Sequence, residues 1–132
     1  MSLVRDAMVP NPVTLDGSET AQEAGERLKD ADRRAVFVCE GGRLIGVVTR
    51  KTLVREVVAA GLDPKTTLLR TIAEPPIFTL EAALDLEEAF RMLEVRDLER
   101  VPVVEDGRLV GVLSRSVLQR RLAEDEPPPV EE

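Results

Sequence analysis

The sequence predicts a mixed α/β domain built from two copies of one β-α-β-β-α unit. The main observation is an internal repeat: residues 4–60 align without a gap on residues 69–125, an offset of 65 positions, with 19 of 57 positions identical. Each copy also contains one segment with helical apolar spacing and one pair of short apolar runs separated by a glycine turn. Because neither copy is long enough to bury a core alone, the two are expected to pack face to face with equivalent clefts between them.

Each unit is predicted to begin with a short extended segment and then a helix. The extended segments are residues 12–16 and 77–81. The helix starts have capping-box spacing, Thr20 with Glu23 and Asp85 with Glu88. Each helix then shows one apolar stripe that should face a sheet. The stripe residues are Ala21, Ala24, Leu28 and Ala31 in the first copy and Leu86, Ala89, Phe90 and Leu93 in the second.

The second half of each unit is predicted to be a β-hairpin followed by another helix. The dipeptides Gly41-Gly42 and Asp106-Gly107 supply the positive φ angles that a two-residue hairpin turn needs. Thr49 and Ser114 follow the hairpins at the point where a helix would begin, and a hydroxyl there can cap the helix. The first-turn amides of such a helix carry a partial positive charge, which outlines an anion site.

The chain carries a formal net charge of −7, and most of it belongs to the C-terminal segment. Residues 124–132 hold five carboxylates and no base, which leaves 20 acids against 18 bases before them. Residues 126–132 combine acidic residues with three consecutive prolines, so we predict a disordered acidic tail. The nearly neutral body, without Trp or Tyr and with only three Phe, disfavours nucleic-acid binding.

The residue types present give little support to catalysis or metal binding. The sequence has no His, the commonest general base, and its single Cys39 lies in an apolar run and is expected to be a small core residue. The acidic residues show no calcium-loop spacing. No apolar run approaches the roughly 20 residues that span a bilayer, and residues 1–12 lack the features of a secretory signal. We therefore predict a cytoplasmic protein that is not an enzyme, has no cofactor and does not enter the membrane.

The order of these pieces resembles the cystathionine β-synthase (CBS) domain, which occurs in pairs known as Bateman modules. The matching stretches are VTLDGSETAQEA with RAVFVCEGGRLIGVVTRKTL, and FTLEAALDLEEA with RVPVVEDGRLVGVLSRSVL. The resemblance implies one CBS repeat over residues 1–62 and a second over residues 63–125, packed with pseudo-twofold symmetry. It also implies a regulatory module that senses an adenosine-containing ligand, such as AMP, ADP, ATP or S-adenosylmethionine, in the cleft between the repeats.

The resemblance and the local chemistry together indicate which residues would bind such a ligand. The initial extended segments would sandwich a flat base, while the hydroxyls at the helix starts and nearby arginines would bind phosphate. The candidate residues are Pro12, Val13, Arg34, Thr49, Arg50, Thr52, Ile77, Phe78, Arg100, Ser114 and Arg115. Each also has a purely structural interpretation: the apolar residues as core, the hydroxyl residues as helix caps, and the arginines as surface partners of carboxylates.

Two positions depart from the family pattern. Nucleotide-binding members usually carry an Asp three residues after the Thr or Ser, where its carboxylate accepts hydrogen bonds from the ribose, but this chain has Thr52 and Val117 there. An unpaired ribose hydroxyl against Val117 would cost about 1–3 kcal/mol, so the Thr52 side should bind better. Phe37 replaces the family's usual Pro and should fill part of the first cleft. These departures favour an alternative function, a structural or dimerisation module that has lost its ligand.

The helices after the hairpins predict self-association. They display more apolar side chains than a two-unit core is expected to cover, and exposed apolar faces usually mark interfaces. The residues concerned are Leu53, Val54, Val57, Val58, Val117, Leu118 and Leu122. We predict a homodimer, the commonest closed assembly. Because no effector domain is apparent in the sequence, a regulated protein partner is expected to receive the signal.

Overall fold

The computed structural model describes residues 2–76 and 78–125, so the candidate residue Ile77 and the predicted tail, residues 126–132, lie outside the described residues. Both copies have the predicted order of strand, helix, hairpin and helix, which confirms the mixed α/β fold. In chain order the elements are α1 (Val4–Ala7), β1 (Val9–Pro10), β2 (Thr14–Asp16), α2 (Ala21–Leu28), β3 (Val36–Glu40), β4 (Arg43–Val48), α3 (Arg50–Leu53), a π-helix (Val54–Val58), α4 (Leu69–Ile72), β5 (Leu80–Glu81), α5 (Leu86–Val95), β6 (Arg100–Glu105), β7 (Arg108–Ser114) and α6 (Arg115–Asp125).

The described residues pack as two compact units. The repeat-1 unit comprises residues 12–76 with 107–109, and the repeat-2 unit comprises residues 2–11, 78–106 and 110–125. The segment that precedes the first strand of each copy therefore packs in the unit built mainly from the other copy. Compact packing and sequence repetition thus divide the chain at different places.

The repeat-1 unit is organised around a β-hairpin with one parallel neighbour. Strand β2 pairs with β3 in parallel, β3 pairs with β4 antiparallel, and Arg43 of β4 pairs with Arg108. Helix α2 packs its predicted apolar stripe against this sheet, since the small Ala side chains allow close approach. The core of the unit is formed by Leu15, Ala21, Ala24, Leu28, Val36, Val38, Val48, Val57, Leu69 and Ile72.

The repeat-2 unit has an equivalent arrangement with its own core. Strand β5 pairs with β6 in parallel, β6 lies next to β7, and β1 pairs with β7 antiparallel. Helices α5 and α6 pack against each other beside these strands. The core residues are Val4, Leu80, Ala82, Leu86, Ala89, Leu93, Val101, Val103, Leu113 and Leu118.

Both hairpin turns and both helix starts form where the sequence predicts them. The turn residues have positive φ, 60° and 83° at Gly41 and Gly42, and 53° and 78° at Asp106 and Gly107. At the helix starts, the side chain of Thr20 accepts a hydrogen bond from the amide of Glu23, and Asp85 does the same for Glu88. The reciprocal hydrogen bond of each predicted capping box, from the cap amide to the Glu side chain, is absent among the described residues.

The prediction that Ala31 extends the apolar stripe of α2 is wrong. Helix α2 ends at Leu28, and Ala31 is exposed. At this end of the helix the guanidinium of Arg50 donates hydrogen bonds to the carbonyl oxygens of Leu28 and Asp30, as a basic side chain often does at a helix C-terminus.

Two short helices, α1 and α4, were not anticipated from the sequence. Each places one fully buried side chain, Val4 or Leu69, in a core. Equivalent backbone hydrogen bonds hold them: Val4 N to Leu84 O and Arg5 N to Ala82 O in one unit, and Leu69 N to Glu19 O and Arg70 N to Gly17 O in the other. Because the partners are also related by the 65-residue offset, these helices belong to the repeated unit.

The helices after the hairpins expose less apolar surface than predicted. Val57 and Leu118 are buried in the two cores, and Leu53 and Leu122 pack against them. Val54 and Val58 remain exposed on the π-helix. The predicted apolar face is therefore confined to the repeat-1 unit.

Candidate functional site

The candidate residues of the repeat-1 unit surround the start of α3. Thr49 is the N-cap, and a reciprocal capping box joins it to Thr52. The hydroxyl of Thr49 accepts from the amide of Thr52 at 3.3 Å, and the hydroxyl of Thr52 accepts from the amide of Thr49 at 3.0 Å. Thr52 is 1% exposed, so this hydroxyl is a buried polar group that depends on its partners.

The hydrogen bonds of the two hydroxyls can be assigned from their single protons. Thr52 Oγ1 lies 3.1 Å from Glu74 Oε1, and a carboxylate accepts only, so Thr52 donates to Glu74. The proton between the two hydroxyls, 3.1 Å apart, must then come from Thr49. Thr52 has no hydrogen-bonding capacity left, whereas Thr49 keeps one acceptor site. The contact of Thr52 with a ligand stays a prediction; in this structure its hydroxyl donates to Glu74, a residue that sequence reasoning did not single out.

Arg50 follows Thr49 and binds main-chain oxygens. Its Nη2 donates to Leu28 O at 2.7 Å and to Asp30 O at 2.8 Å. Leu28 is the last residue of α2, where a cation interacts favourably with the helix dipole, and Asp30 lies two residues beyond it. The partners are neutral, and in the described part of the chain no ion pair joins Arg50 to a carboxylate. No carboxylate of the described residues therefore offsets the charge of Arg50.

The other candidate residues of this unit are less constrained. Arg34 is exposed, and residues 2–76 and 78–125 provide it with no hydrogen bond or ion pair. Pro12 and Val13 are partly buried, and the carbonyl of Val13 accepts from the amide of Phe37 at 3.3 Å. The position of Ile77 is outside the described residues.

The repeat-2 unit has the same cap but different partners. The hydroxyl of Ser114 accepts from the amide of Val117 at 3.2 Å, so Ser114 caps α6 as Thr49 caps α3. Arg115, the counterpart of Arg50, forms ion pairs with Asp97 at 3.2 Å and Glu99 at 3.6 Å. Two carboxylates therefore neutralise Arg115, and an anionic ligand would have to compete with them.

Phe78 and Arg100 complete the candidate set of the repeat-2 unit. Phe78 is partly buried against the core, and the guanidinium carbon of Arg96 lies 4.3 Å from its ring centroid. This cation–π contact covers one face of the ring that a base would use for stacking. Arg100 is exposed at the start of β6.

Two groups of the repeat-1 unit have shifted pKa values. The pKa of Asp16 is lowered because the hydroxyl and amide of Ser18 donate to its carboxylate at 2.6 and 2.9 Å. The pKa of the Cys39 thiol is raised by burial and, to a smaller extent, by the charge of Asp16. Cys39 is therefore a thiol at neutral pH, which suits a packing role better than nucleophilic catalysis.

Within the described ranges, no group of three or more His, Cys, Asp or Glu side chains is arranged to hold a metal ion. The helices of those same ranges include none that is long and apolar enough to cross a bilayer.

Comparison with known proteins identifies relatives over nearly the whole chain. Hypoxic response protein 1 of Mycobacterium tuberculosis is 30% identical over 125 residues, which cover 94% of this chain and 87% of that protein. A crystal structure of hypoxic response protein I with two coordinated zinc ions has a TM-score of 0.78 over 92% of this chain and 99% of that one.

Two further structures share the fold. CBSX2 in complex with AMP is 24% identical, with a TM-score of 0.74 over 94% of this chain and 98% of that one. A hexameric CBS-CP12 protein from bloom-forming cyanobacteria is 26% identical, with a TM-score of 0.66 over 96% of this chain and 76% of that one.

The family comparison agrees with the internal repeat. Residues 4–59 and residues 69–124 each match the CBS domain. The two matches begin at α1 and α4, the helices whose hydrogen bonds are equivalent in the two units. This chain therefore belongs to the family of CBS-domain proteins and is a tandem CBS pair.

Proposed function

We propose that this CBS pair is a regulatory module that binds an adenosine-containing nucleotide, or a related anionic metabolite, through its repeat-1 unit. Occupancy is signalled through contacts with another copy or with a regulated protein. The proposal predicts one ligand for each chain at this unit, because the candidate residues of the repeat-2 unit have other partners.

The observation that carries the proposal is the difference between Arg50 and Arg115. Arg50 is held by two neutral carbonyls, whereas Arg115 is paired with two carboxylates. Arg34 adds a second cation to the repeat-1 unit, just before β3. An anion near α3 would gain charge-assisted hydrogen bonds without displacing an existing ion pair.

The adenosine part of the proposal rests on the family and on the apolar candidates. AMP is the ligand in the complex of CBSX2, which has the same fold. Pro12 and Val13 offer the partly buried apolar contacts that a flat base needs. AMP is therefore the first ligand to test, followed by ADP, ATP and S-adenosylmethionine.

Thermal unfolding with and without ligand tests the proposal. A ligand at 100 times its dissociation constant adds about 2.7 kcal/mol to the free energy of unfolding. For 132 residues the unfolding entropy is about 0.28 kcal/mol/K, so Tm should rise by roughly 10 °C. The absence of a shift with all four ligands would contradict the proposal.

A pair of matched variants locates the site. Arg50→Gln removes the unneutralised cation, and Arg115→Gln removes its counterpart in the other unit. We expect Arg50→Gln to raise the AMP dissociation constant at least about tenfold, the effect of a lost charge-assisted hydrogen bond, and Arg115→Gln to change it less than threefold. Equal effects of the two variants would exclude the repeat-1 unit as the preferred site. The Tm of each unliganded variant controls for loss of the α2 cap.

A second function, self-association, is favoured by an exposed apolar strip on the repeat-1 unit. The strip comprises Val54 and Val58 of the π-helix, 58% and 72% exposed, and Leu62, which follows the helix and is 48% exposed. We propose that this strip forms the interface of a homodimer, where burial of these side chains would be favourable. The CBS-CP12 relative is hexameric, so proteins with this fold do self-associate.

Light scattering coupled to size-exclusion chromatography tests the dimer. We expect twice the chain mass of 14.5 kDa for the unmodified protein and a monomer for Val54→Asp with Val58→Asp. Val95→Asp is the matched control, because Val95 is still more exposed but lies on α5 of the repeat-2 unit. A monomer of the unmodified protein at micromolar concentration would contradict this second function.

A further inference from the structure

Glu74 occupies a defined place beside the start of α3. Its backbone pairs with Val47 of β4 through hydrogen bonds of 2.8 and 3.0 Å, one in each direction. The close approach requires a glycine in β4, because a Cβ at Gly46 would lie 2.6 Å from the Cβ of Ala73 and 3.0 Å from the carbonyl oxygen of Glu74. The backbone of Glu74 is thus fixed to the sheet, and only its side chain is free to respond to a ligand.

The carboxylate of Glu74 has acceptor capacity that the protein leaves unused. Oε1 accepts the hydroxyl of Thr52, and this is the only donor that residues 2–76 and 78–125 provide to the carboxylate. Glu74 is exposed, whereas Thr52 beneath it is buried. A molecule bound near Thr49 and Arg50 would therefore meet the carboxylate of Glu74 and not the hydroxyl of Thr52.

A carboxylate at this place selects for hydrogen-bond donors. A phosphate group offers acceptors and negative charge, which Glu74 would repel. A pair of neighbouring sugar hydroxyls offers two donors, and a carboxylate with two oxygens accepts both. Arg50 favours the anionic part of a ligand and Glu74 its hydroxylated part, so the two side chains would orient a molecule that carries both.

The second copy provides an internal comparison. At the 65-residue offset Glu74 corresponds to Val9 and Thr52 to Val117. Val9 pairs with Val112 of β7 as Glu74 pairs with Val47, and Gly111 makes room for it as Gly46 does for Glu74. The backbone arrangement is therefore repeated, while the carboxylate and the hydroxyl that supports it occur in the repeat-1 unit only.

We propose that Glu74 accepts hydrogen bonds from the vicinal sugar hydroxyls of the ligand and is the residue by which the repeat-1 unit selects a ribose. The inference rests on the proposed nucleotide binding and deepens it. Thr52 is a positioning residue here, because its hydroxyl holds one oxygen of the carboxylate.

Calorimetric titration with AMP and with its 2′,3′-dideoxy analogue tests the inference. The unmodified chain should bind AMP at least about tenfold more tightly than the dideoxy analogue, since hydrogen bonds to a charged group are lost. In Glu74→Ala and in the isosteric Glu74→Gln this preference should fall below about threefold. Glu81→Gln, which removes an exposed carboxylate at the end of β5, should retain it.

The outcomes separate the two proposals. If the unmodified chain does not bind AMP, the proposed nucleotide binding fails and this inference with it. If AMP binds but the preference is unchanged in both Glu74 variants, nucleotide binding stands and the inference is wrong. Glu74 could instead bind the 6-amino group of the base, and titration with inosine monophosphate, which lacks that group, tests this case. A Glu74 effect that follows the amino group and not the sugar hydroxyls would assign Glu74 to the base and overturn the inference.

Discussion

Replacing Thr52 by Val tests whether the hydroxyl network at the start of α3 stabilises the protein. Val has nearly the same shape, and Val117 occupies the equivalent position of the second copy, so the fold accepts it. The substitution removes the acceptor of the Thr49 amide and the donor to Glu74. The exposed carboxylate of Glu74 can bind water instead, but the Thr49 amide and hydroxyl lose partners in a part-buried site.

The expected loss follows from these partners. A buried donor left unsatisfied costs about 1–3 kcal/mol, so we expect Thr52→Val to lower the free energy of unfolding by about 2 kcal/mol. With an unfolding entropy of about 0.28 kcal/mol/K for 132 residues, Tm should fall by roughly 7 °C. Urea unfolding and calorimetry measure the two quantities. Thr71→Val is the control, because Thr71 is exposed and its hydroxyl donates to Leu68 O, its one side-chain partner within the described residues, and it should cost less than about 0.5 kcal/mol. A loss below about 0.5 kcal/mol in Thr52→Val would refute the reasoning.

Three further outcomes follow from the repeat-1 unit. Gly46→Ala should destabilise the chain by about 1–3 kcal/mol in urea unfolding, because the new Cβ would lie 2.6 Å from that of Ala73; an unchanged midpoint would contradict the close approach. Alkylation of Cys39 by iodoacetamide at pH 8 should be more than about tenfold slower in the folded chain than in urea, because burial raises the thiol pKa and limits access. Ser18→Ala should raise the pKa of Asp16 towards its ordinary value in an NMR titration. The lowered pKa of Asp16 stabilises the folded state at neutral pH, and this stabilisation is lost as the pH falls through the folded-state pKa. On acidification below about pH 4, Ser18→Ala should therefore lose less stability than the unmodified chain. An unchanged pKa of Asp16 in the variant would exclude Ser18 as the cause.

Local features of the fold could be predicted from the sequence. The turns at residues 41–42 and 106–107 depend on two residues each, and both have the positive φ angles that were expected. The caps at Thr20 and Asp85 also depend on a few neighbouring residues. The length of α2 could not be predicted in this way, because the contacts at its end include Arg50, which lies 22 and 20 residues from Leu28 and Asp30, whose carbonyls it binds.

In the candidate site, too, features that depend on neighbouring residues could be predicted, and features that depend on residues far apart in the chain could not. The hydroxyls and arginines at the helix starts were recognised, and the missing Asp at positions 52 and 117 was noted. The role of Glu74 was missed because its contact with Thr52 spans 22 residues and depends on the pairing with Val47. One signal was available: Glu74 is a charged residue where the other copy has Val9. The different partners of Arg50 and Arg115 could not be inferred, because both copies carry Arg at that position.

The packing of Val4 and Leu69 has a consequence for how the chain reaches its native state. Val4 is buried among residues 80–118, so the core of the repeat-2 unit needs a side chain from the segment that precedes residues 12–76. Closing so long a loop is slow, and until it closes the repeat-2 core lacks one wall. Residues 12–76 do not depend on that closure, so the main part of the repeat-1 unit is expected to pack first. Cleavage between residues 62 and 63 would leave each half with the helix that belongs in the other half's core.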